Sequence, residues 1–123
     1  MNEPIVRSFE DLEVYQRAYK LALELHKLTL EFPRIEQFAL ADQIRRASKS
    51  ICANIAEGFA RQHISAPDFH RYVVLALGSS DEMKVWIRFS LDLGYVPAET
   101  ARRLRDDYAT VSRRLHGLRN KWK

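Results

Sequence analysis

The stretch between Gln43 and Arg61 carries three cations close together, at Arg45, Arg46 and Lys49. In a helix Arg45 and Lys49 lie one turn apart and Arg46 flanks them, so the three side chains form one compact patch. Such point charges bind nucleic-acid phosphate without reading bases. We therefore interpret the patch as a phosphate contact. The alternative is a solvated face, or a set of ion pairs between subunits.

A second group of cations lies towards the C-terminal end. Residues 101–123 hold eight Arg or Lys against two Asp, whereas residues 1–100 hold twelve against fourteen acidic residues. A basic helix attracts polyanions, although arginines also keep helix surfaces solvated. The arginines that we assign to a nucleic-acid contact here are Arg102, Arg105, Arg113 and Arg114.

Three polar residues of the same central stretch are assigned to contacts between helices or subunits. Asn54 falls in an apolar seam, where it must pair with the backbone or another side chain and can fix register or oligomeric state. Glu57 lies one turn before Arg61, which predicts an ordinary ion pair within one helix. The alternative for Glu57 is an arginine of another helix or subunit. Gln43 completes this group.

Metal chemistry has little support in the sequence. None of the four histidines has an acidic residue three positions before it, as the Glu-x-x-His sites of helical bundles require. Asp68 and His70 stand two positions apart in a first helical turn, where their faces diverge. The single cysteine, Cys52, can form neither an internal disulfide nor a cysteine zinc cluster, and we interpret it as a small buried thiol. We expect no metal and no cofactor.

Catalytic motifs with a nucleophile or a phosphate-binding glycine loop do not occur, so we expect a binding or scaffolding protein rather than an enzyme. An enzyme would need a pocket in which titratable groups converge. The residues that such a pocket would have to bring together are His26, Tyr15, Tyr19 and Glu57.

Apolar residues recur at steps of three and four in four stretches, which predicts four amphipathic helices. The predicted bounds are about 9–32, 36–61, 66–93 and 98–122. Ser8 and Ser65 are the expected N-caps, Pro33 ends the first helix, and Gly94 is the expected left-handed residue after the third. Gly58 either thins the second helix for a close neighbour or lies near its end.

Short connections between these helices predict an all-α, antiparallel up-down-up-down bundle in a single domain, residues 1–123. Leu23, Leu30, Phe38 and Phe59 fall outside the inward-facing seams and predict self-association. No stretch is apolar enough for a signal peptide or a membrane span, so we expect a cytoplasmic protein with no membrane contact.

Particular residues carry a resemblance to a known family. They are the run Asn54-Ile55-Ala56-Glu57-Gly58, the preceding pair Arg45-Arg46, Phe32-Pro33 at the first turn, Gly78-Ser79-Ser80, and Leu93-Gly94-Tyr95. With them the chain resembles the bacterial four-helix bundle family first noticed as reading frames in intervening sequences of 23S ribosomal RNA genes. That family is similar to the accessory variability proteins of diversity-generating retroelements.

The resemblance implies a four-helix protomer that assembles into a ring, commonly a homopentamer with a central channel, without known catalytic activity. For the retroelement relatives it also implies binding to a reverse transcriptase and to RNA or DNA through basic surfaces. The function that it implies is a nucleic-acid-binding or reverse-transcriptase accessory scaffold. The alternative is a self-assembling protein-protein interaction module, of unestablished cellular role, that binds no nucleic acid.

Overall fold

Four α-helices account for most of the chain. The computed structural model describes residues 6–121, and side chains as far as residue 119. The helices are α1 (Glu13–Leu30), α2 (Leu40–Arg61), α3 (Ala66–Asp92) and α4 (Ala98–Lys121). Consecutive helices pack against each other and α1 also packs against α4, whereas α1 and α3 lie across the bundle from each other. This arrangement confirms the predicted four-helix bundle, with α1 and α3 at opposite corners.

One apolar core fills the space between the helices, and it consists of the side chains at the predicted steps of three and four. Its members include Val14, Ala18, Leu21 and Leu25 of α1, Ile44, Ala47, Ile51 and Ile55 of α2, Phe69, Val73, Ala76, Met83 and Ile87 of α3, and Ala101, Leu104, Tyr108, Val111 and Leu115 of α4. Each helix therefore uses one face for the core.

The first predicted helix, 9–32, was wrong as one continuous element. Phe9–Asp11 form a 3-10 turn that Ser8 caps, because its hydroxyl accepts the amide of Glu10 and the Asp11 carboxylate accepts the amides of Arg7 and Ser8. Leu12 is extended, and α1 begins after it. The amides of Glu31 and Phe32 donate to carbonyls three residues back, as in a turn, and Pro33 follows, which cannot continue a helix.

The second predicted helix, 36–61, begins four residues too early. Arg34–Glu36 form a second 3-10 turn, and Ala39 has φ −126° and ψ −107°, outside the helical region. The side-chain amide of Gln37 donates to the carbonyls of Thr29 and Phe32, at 2.8 and 3.0 Å. These bonds tie the segment to the end of α1, so α2 starts only at Leu40.

The third predicted helix agrees with α3 to within one residue, and the predicted start of the fourth helix at 98 is the start of α4. The Ser65 hydroxyl accepts the amide of Asp68 at 3.3 Å, which confirms the N-cap of α3. Gly94 has φ +81°, the left-handed conformation expected after α3. For α4 the predicted end at 122 lies outside the described residues, as does Trp122 of its predicted seam.

Gly58 is buried inside α2 at the contact with α3, so the first of its two interpretations holds. A methyl group added at Gly58 would lie 3.2 Å from the Cβ of Tyr72 and 3.6 Å from the carbonyl oxygen of Phe69. Both distances show that the two helix backbones approach closely here. Further along the same contact, the hydroxyls of Ser50 and Ser79 meet at 3.2 Å.

The close approach predicts that Gly58→Val lowers the free energy of unfolding by about 1–3 kcal/mol, because the larger side chain forces α2 and α3 apart. The matched control is Gly117→Ala in α4, where nothing lies within 4 Å of an added methyl group. That change should raise the free energy by up to about 1 kcal/mol, since alanine favours the helix. Urea denaturation measures both, and a Gly58→Val variant as stable as wild type would contradict the close packing of α2 on α3.

Candidate nucleic-acid interface

Arg45 belongs to the connection between α1 and α2 rather than to an open surface. Its guanidinium donates to the Gln37 carbonyl at 2.7 Å, to the Gln37 side-chain oxygen at 3.2 Å and to the Thr29 hydroxyl at 3.1 Å. The side chain is partly buried. Because these neutral acceptors hold the guanidinium in place, Arg45 braces the turn that precedes α2.

Arg46 and Lys49 stay on the outer face of α2, but each has a neighbour of its own. Arg46 pairs with Asp42 one turn before it, at 2.9 Å, and its side chain remains 76% exposed. The Lys49 ammonium lies 3.0 Å from Nδ1 of His26 on α1. The structure thus does not bring the three cations of α2 together as one patch, because Arg45 turns away towards residues 29 and 37.

The arginines of α4 divide between three sides of the helix. Arg114 pairs across the bundle with Glu13 of α1, at 3.0 Å. Arg103, which was not among the predicted contact residues, pairs with Glu24 of α1 and with Asp107. The side of α4 that faces α1 is therefore held by ion pairs between helices.

Arg102 and Arg113 lie on the outer face of α4, eleven residues and therefore about 16 Å apart along the helix. Arg113 donates to the Thr110 hydroxyl at 3.2 Å, and within residues 6–121 neither arginine pairs with a carboxylate. Both side chains are exposed. Both are therefore available to an external polyanion.

Arg105 lies on the third side of α4, at the edge of a groove against α3. The groove is open to solvent and has a volume of about 320 Å³. Its lining residues are Lys84, Val85, Arg88, Phe89, Asp92 and Arg105. Arg88 pairs with Asp92 and Lys84 with Asp81, whereas Arg105 has no carboxylate partner in the described part of the chain. The α3 residues of this groove were not predicted from the sequence.

Two apolar faces point away from the core on opposite corners of the bundle. The outer face of α1 exposes Tyr19, Leu23 and Leu30, and the outer face of α3 exposes Val74, Leu75, Val85, Phe89 and Leu93. We call them the α1 face and the α3 face. The α3 face was detectable from sequence, because these residues repeat at helical steps on the side opposite the predicted seam.

Gln43 and Asn54 both make polar contacts beside the interface between α2 and α3. The Gln43 amide donates to the Glu82 carboxylate at 3.0 Å, and that carboxylate also accepts the indole N–H of Trp86 at 2.9 Å. Asn54 donates to the carbonyl and hydroxyl of Ser50, at 2.9 and 3.1 Å. Both side chains thus have partners within the protomer.

Glu57 is exposed and pairs with Arg61 of the same helix at 3.4 Å. The ordinary ion pair between residues one turn apart is therefore present. Arg61 also lies 3.7 Å from Asp68 at the start of α3 and over the ring of Tyr72. Glu57 is consequently one end of a charged cluster around the connection from α2 to α3.

The residues of the hypothetical catalytic pocket do not converge. Tyr15 and Tyr19 stack on each other along α1, with ring centroids 5.9 Å apart, whereas His26 meets Lys49 and Glu57 meets Arg61. Within residues 6–121 no group of three or more His, Cys, Asp or Glu side chains could hold a metal ion.

Cys52 is half-buried, and burial raises the pKa of its thiol to about 11. The thiol therefore stays protonated near neutral pH, where it is a poor nucleophile. Among the helices of the described residues, none is long and apolar enough to cross a membrane.

The fold and its surface define a class of protein. It is an all-α four-helix bundle whose outer surface carries exposed cations and two exposed apolar faces. The family described as 23S rRNA-intervening sequence protein matches residues 10–117, and the chain belongs to this family. This confirms the family resemblance seen in the sequence.

A solved structure supports the same fold. It is the 1.70 Å crystal structure of a protein from Bacteroides thetaiotaomicron, described as of unknown function and from the S23 ribosomal protein family. The TM-score is 0.77 and the identity 23%, over 87% of this chain and 95% of the other. A search of curated proteins found no match.

The contrast between Arg45 and Arg46 predicts different costs of truncation. Arg45→Ala leaves two oxygens of Gln37 and the Thr29 hydroxyl without their donor, so it should lower the free energy of unfolding by about 1.5–3 kcal/mol. Arg46→Ala, the control, removes only an exposed pair and should cost no more than about 0.5 kcal/mol. Urea denaturation compares the two, and equal losses of stability would refute the bracing role of Arg45.

Proposed function

We propose that the protein is a non-enzymatic scaffold that assembles head to tail into a closed ring and holds nucleic-acid phosphate on the arginines of α4. The subunit number of five comes from the family resemblance. The same resemblance supplies the role as an accessory to a reverse transcriptase.

The observation that carries the proposal is the position of the α1 face and the α3 face on opposite corners of the bundle. Apolar residues grouped on one exposed face mark contacts with other proteins more often than singly scattered ones do. A two-fold dimer joins one patch to its own copy, whereas two different patches join head to tail. Such contacts give a closed ring when the rotation between copies closes and an open filament when it does not, and the family resemblance favours the ring. In such a ring the outer faces of α2 and α4 are left for the channel and the outer wall.

The nucleic-acid part of the proposal is supported by Arg102 and Arg113. They are exposed, free of carboxylates within the described residues, and placed on a helix face that the apolar contacts leave open. Repeated around a ring, this face would form a belt of positive charge. Such a belt binds phosphate with little dependence on base sequence.

A second function is favoured by the ion pairs. Arg46, Arg103 and Arg114 each have a carboxylate partner within the protomer, which lowers their availability to an external polyanion. A self-assembling protein-protein interaction module without nucleic-acid binding would use its charges in this way. Nucleic-acid affinity distinguishes the two functions.

Head-to-tail assembly predicts complementation between damaged faces. Leu23→Asp spoils the α1 face and Leu75→Asp spoils the α3 face, so each variant alone should be monomeric. Mixed together, the two should form a heterodimer and nothing larger, because each retains one intact face. Analytical ultracentrifugation measures this.

The control for both changes is Ile64→Asp, at an exposed residue of the connection between α2 and α3, which should assemble as wild type does. A mixture of the two variants that remains monomeric would contradict head-to-tail contact. So would full assembly of either variant alone.

The phosphate contact predicts a weaker dependence of binding on salt in the double variant Arg102→Glu with Arg113→Glu. Affinity for a labelled duplex should fall, and the slope of log K against log salt should become shallower by about 0.9 for each phosphate that the variant no longer neutralises. Fluorescence anisotropy over a salt series measures both quantities.

The matched control carries the same change of charge on α2, as Arg46→Glu with Lys49→Glu, and keeps Arg45 for folding. It should bind more tightly than the α4 variant. If the α4 variant keeps wild-type affinity and slope, α4 is not the phosphate contact. If the control alone loses binding, the contact lies on α2.

A further inference from the structure

Phe38 is the most exposed large apolar side chain of the described residues, at 95%. It lies in the connection between α1 and α2, together with Ile35 at 82% exposure. An aromatic ring held in water gains from burial against any apolar partner. Since the residues that the structure describes give Phe38 no such partner, its position favours one on another molecule.

Hydrogen bonds fix this connection in one conformation. Gln37, next to Phe38, receives two bonds from Arg45 and donates two to the end of α1. One residue before Gln37, the Glu36 carboxylate accepts a hydrogen bond from the hydroxyl of Tyr95 at 2.7 Å. A side chain presented by a rigid turn loses less conformational entropy when it binds, which favours its use as an anchor.

The groove between α3 and α4 is a suitable receptor for an aromatic ring. Val85 and Phe89 supply its apolar wall, while Arg88 and Arg105 stand at its edge. The groove measures about 320 Å³ and is open to solvent, so a side chain of another copy can reach it from outside. Guanidinium groups also bind the faces of aromatic rings.

We infer that Phe38 of one protomer inserts into the groove between α3 and α4 of the next copy of the chain. This inference rests on the proposed head-to-tail assembly, and it identifies Phe38 as the side chain that anchors one copy to the next. Rotation about an axis parallel to the helices keeps every residue at its own height. Phe38 and the groove lie towards the same end of the bundle, because the bond from Tyr95 to Glu36 joins the connection before α2 to the one after α3, and the groove occupies the last turns of α3.

The two surfaces also carry complementary charge. Glu31, in the same connection as Phe38 and seven residues before it, is exposed, and its carboxylate has no partner within residues 6–121. Arg105 at the edge of the groove likewise has no carboxylate partner there. A pair between Glu31 of one copy and Arg105 of the next satisfies both groups and selects a second copy of this chain as the occupant.

Cysteine cross-linking tests the contact directly. In a Cys52→Ala background, Phe38→Cys and Val85→Cys are made in separate chains, mixed and oxidised. Disulfide-linked dimers that contain one chain of each kind are expected. The control mixture, Ile64→Cys with Val85→Cys, pairs the groove with an exposed residue at the far end of the bundle and should give at most a trace of that product.

A charge exchange gives an independent readout without cysteine substitutions. Glu31→Arg and Arg105→Glu should each raise the dissociation constant between subunits by about tenfold or more, and the double variant should recover most of the affinity. Phe38→Ser should raise the dissociation constant more than either single charge variant does. The control Ile64→Ser should leave it at the wild-type value.

The outcomes separate this inference from the assembly on which it rests. A wild-type protein that is monomeric at every concentration overturns both. An oligomer that Phe38→Ser leaves intact, and that gives no dimers between positions 38 and 85 above the control, overturns the Phe38 anchor alone and leaves head-to-tail assembly standing.

Discussion

A four-helix bundle can bury only one face of each helix, and this constraint governs the surface of the protein. Two of its helices, α1 and α3, carry a second apolar face that the protomer cannot cover. Because the helices pack in chain order around a square, these two faces point in opposite directions. The two uncovered apolar faces are thus suited to contacts between successive copies of the protein. The outer faces of α2 and α4 carry charged residues instead.

The turn between α1 and α2 connects folding to this assembly. Arg45 directs its hydrogen bonds to Gln37 and Thr29, which removes one cation from the surface but fixes the turn. The same turn presents Phe38 to the solvent. In the sequence, the charge of Arg45 indicated a phosphate contact. In the structure its hydrogen bonds hold the turn that presents Phe38.

Periodicity predicted the existence and order of all four helices, because steps of three and four report directly on the face that each helix buries. It failed at the start of α2, since the bonds from Gln37 to Thr29 and Phe32 depend on where the end of α1 lies in space. The ion-pair partners of the arginines could not be predicted from the sequence either. Arg114 pairs with Glu13 because α4 packs against α1. The apolar pattern of a single helix carries no information on how two helices pack, so it could not predict this pair.

The central claim is that the two apolar faces close the chain into a ring. Native mass spectrometry of the wild-type protein tests it most directly, because a closed ring leaves no face free and so has one subunit number. Ring closure predicts a single dominant mass, five protomers by the family resemblance, with no series of larger species. A bare monomer would contradict assembly through these faces, and an open ladder of masses would contradict closure.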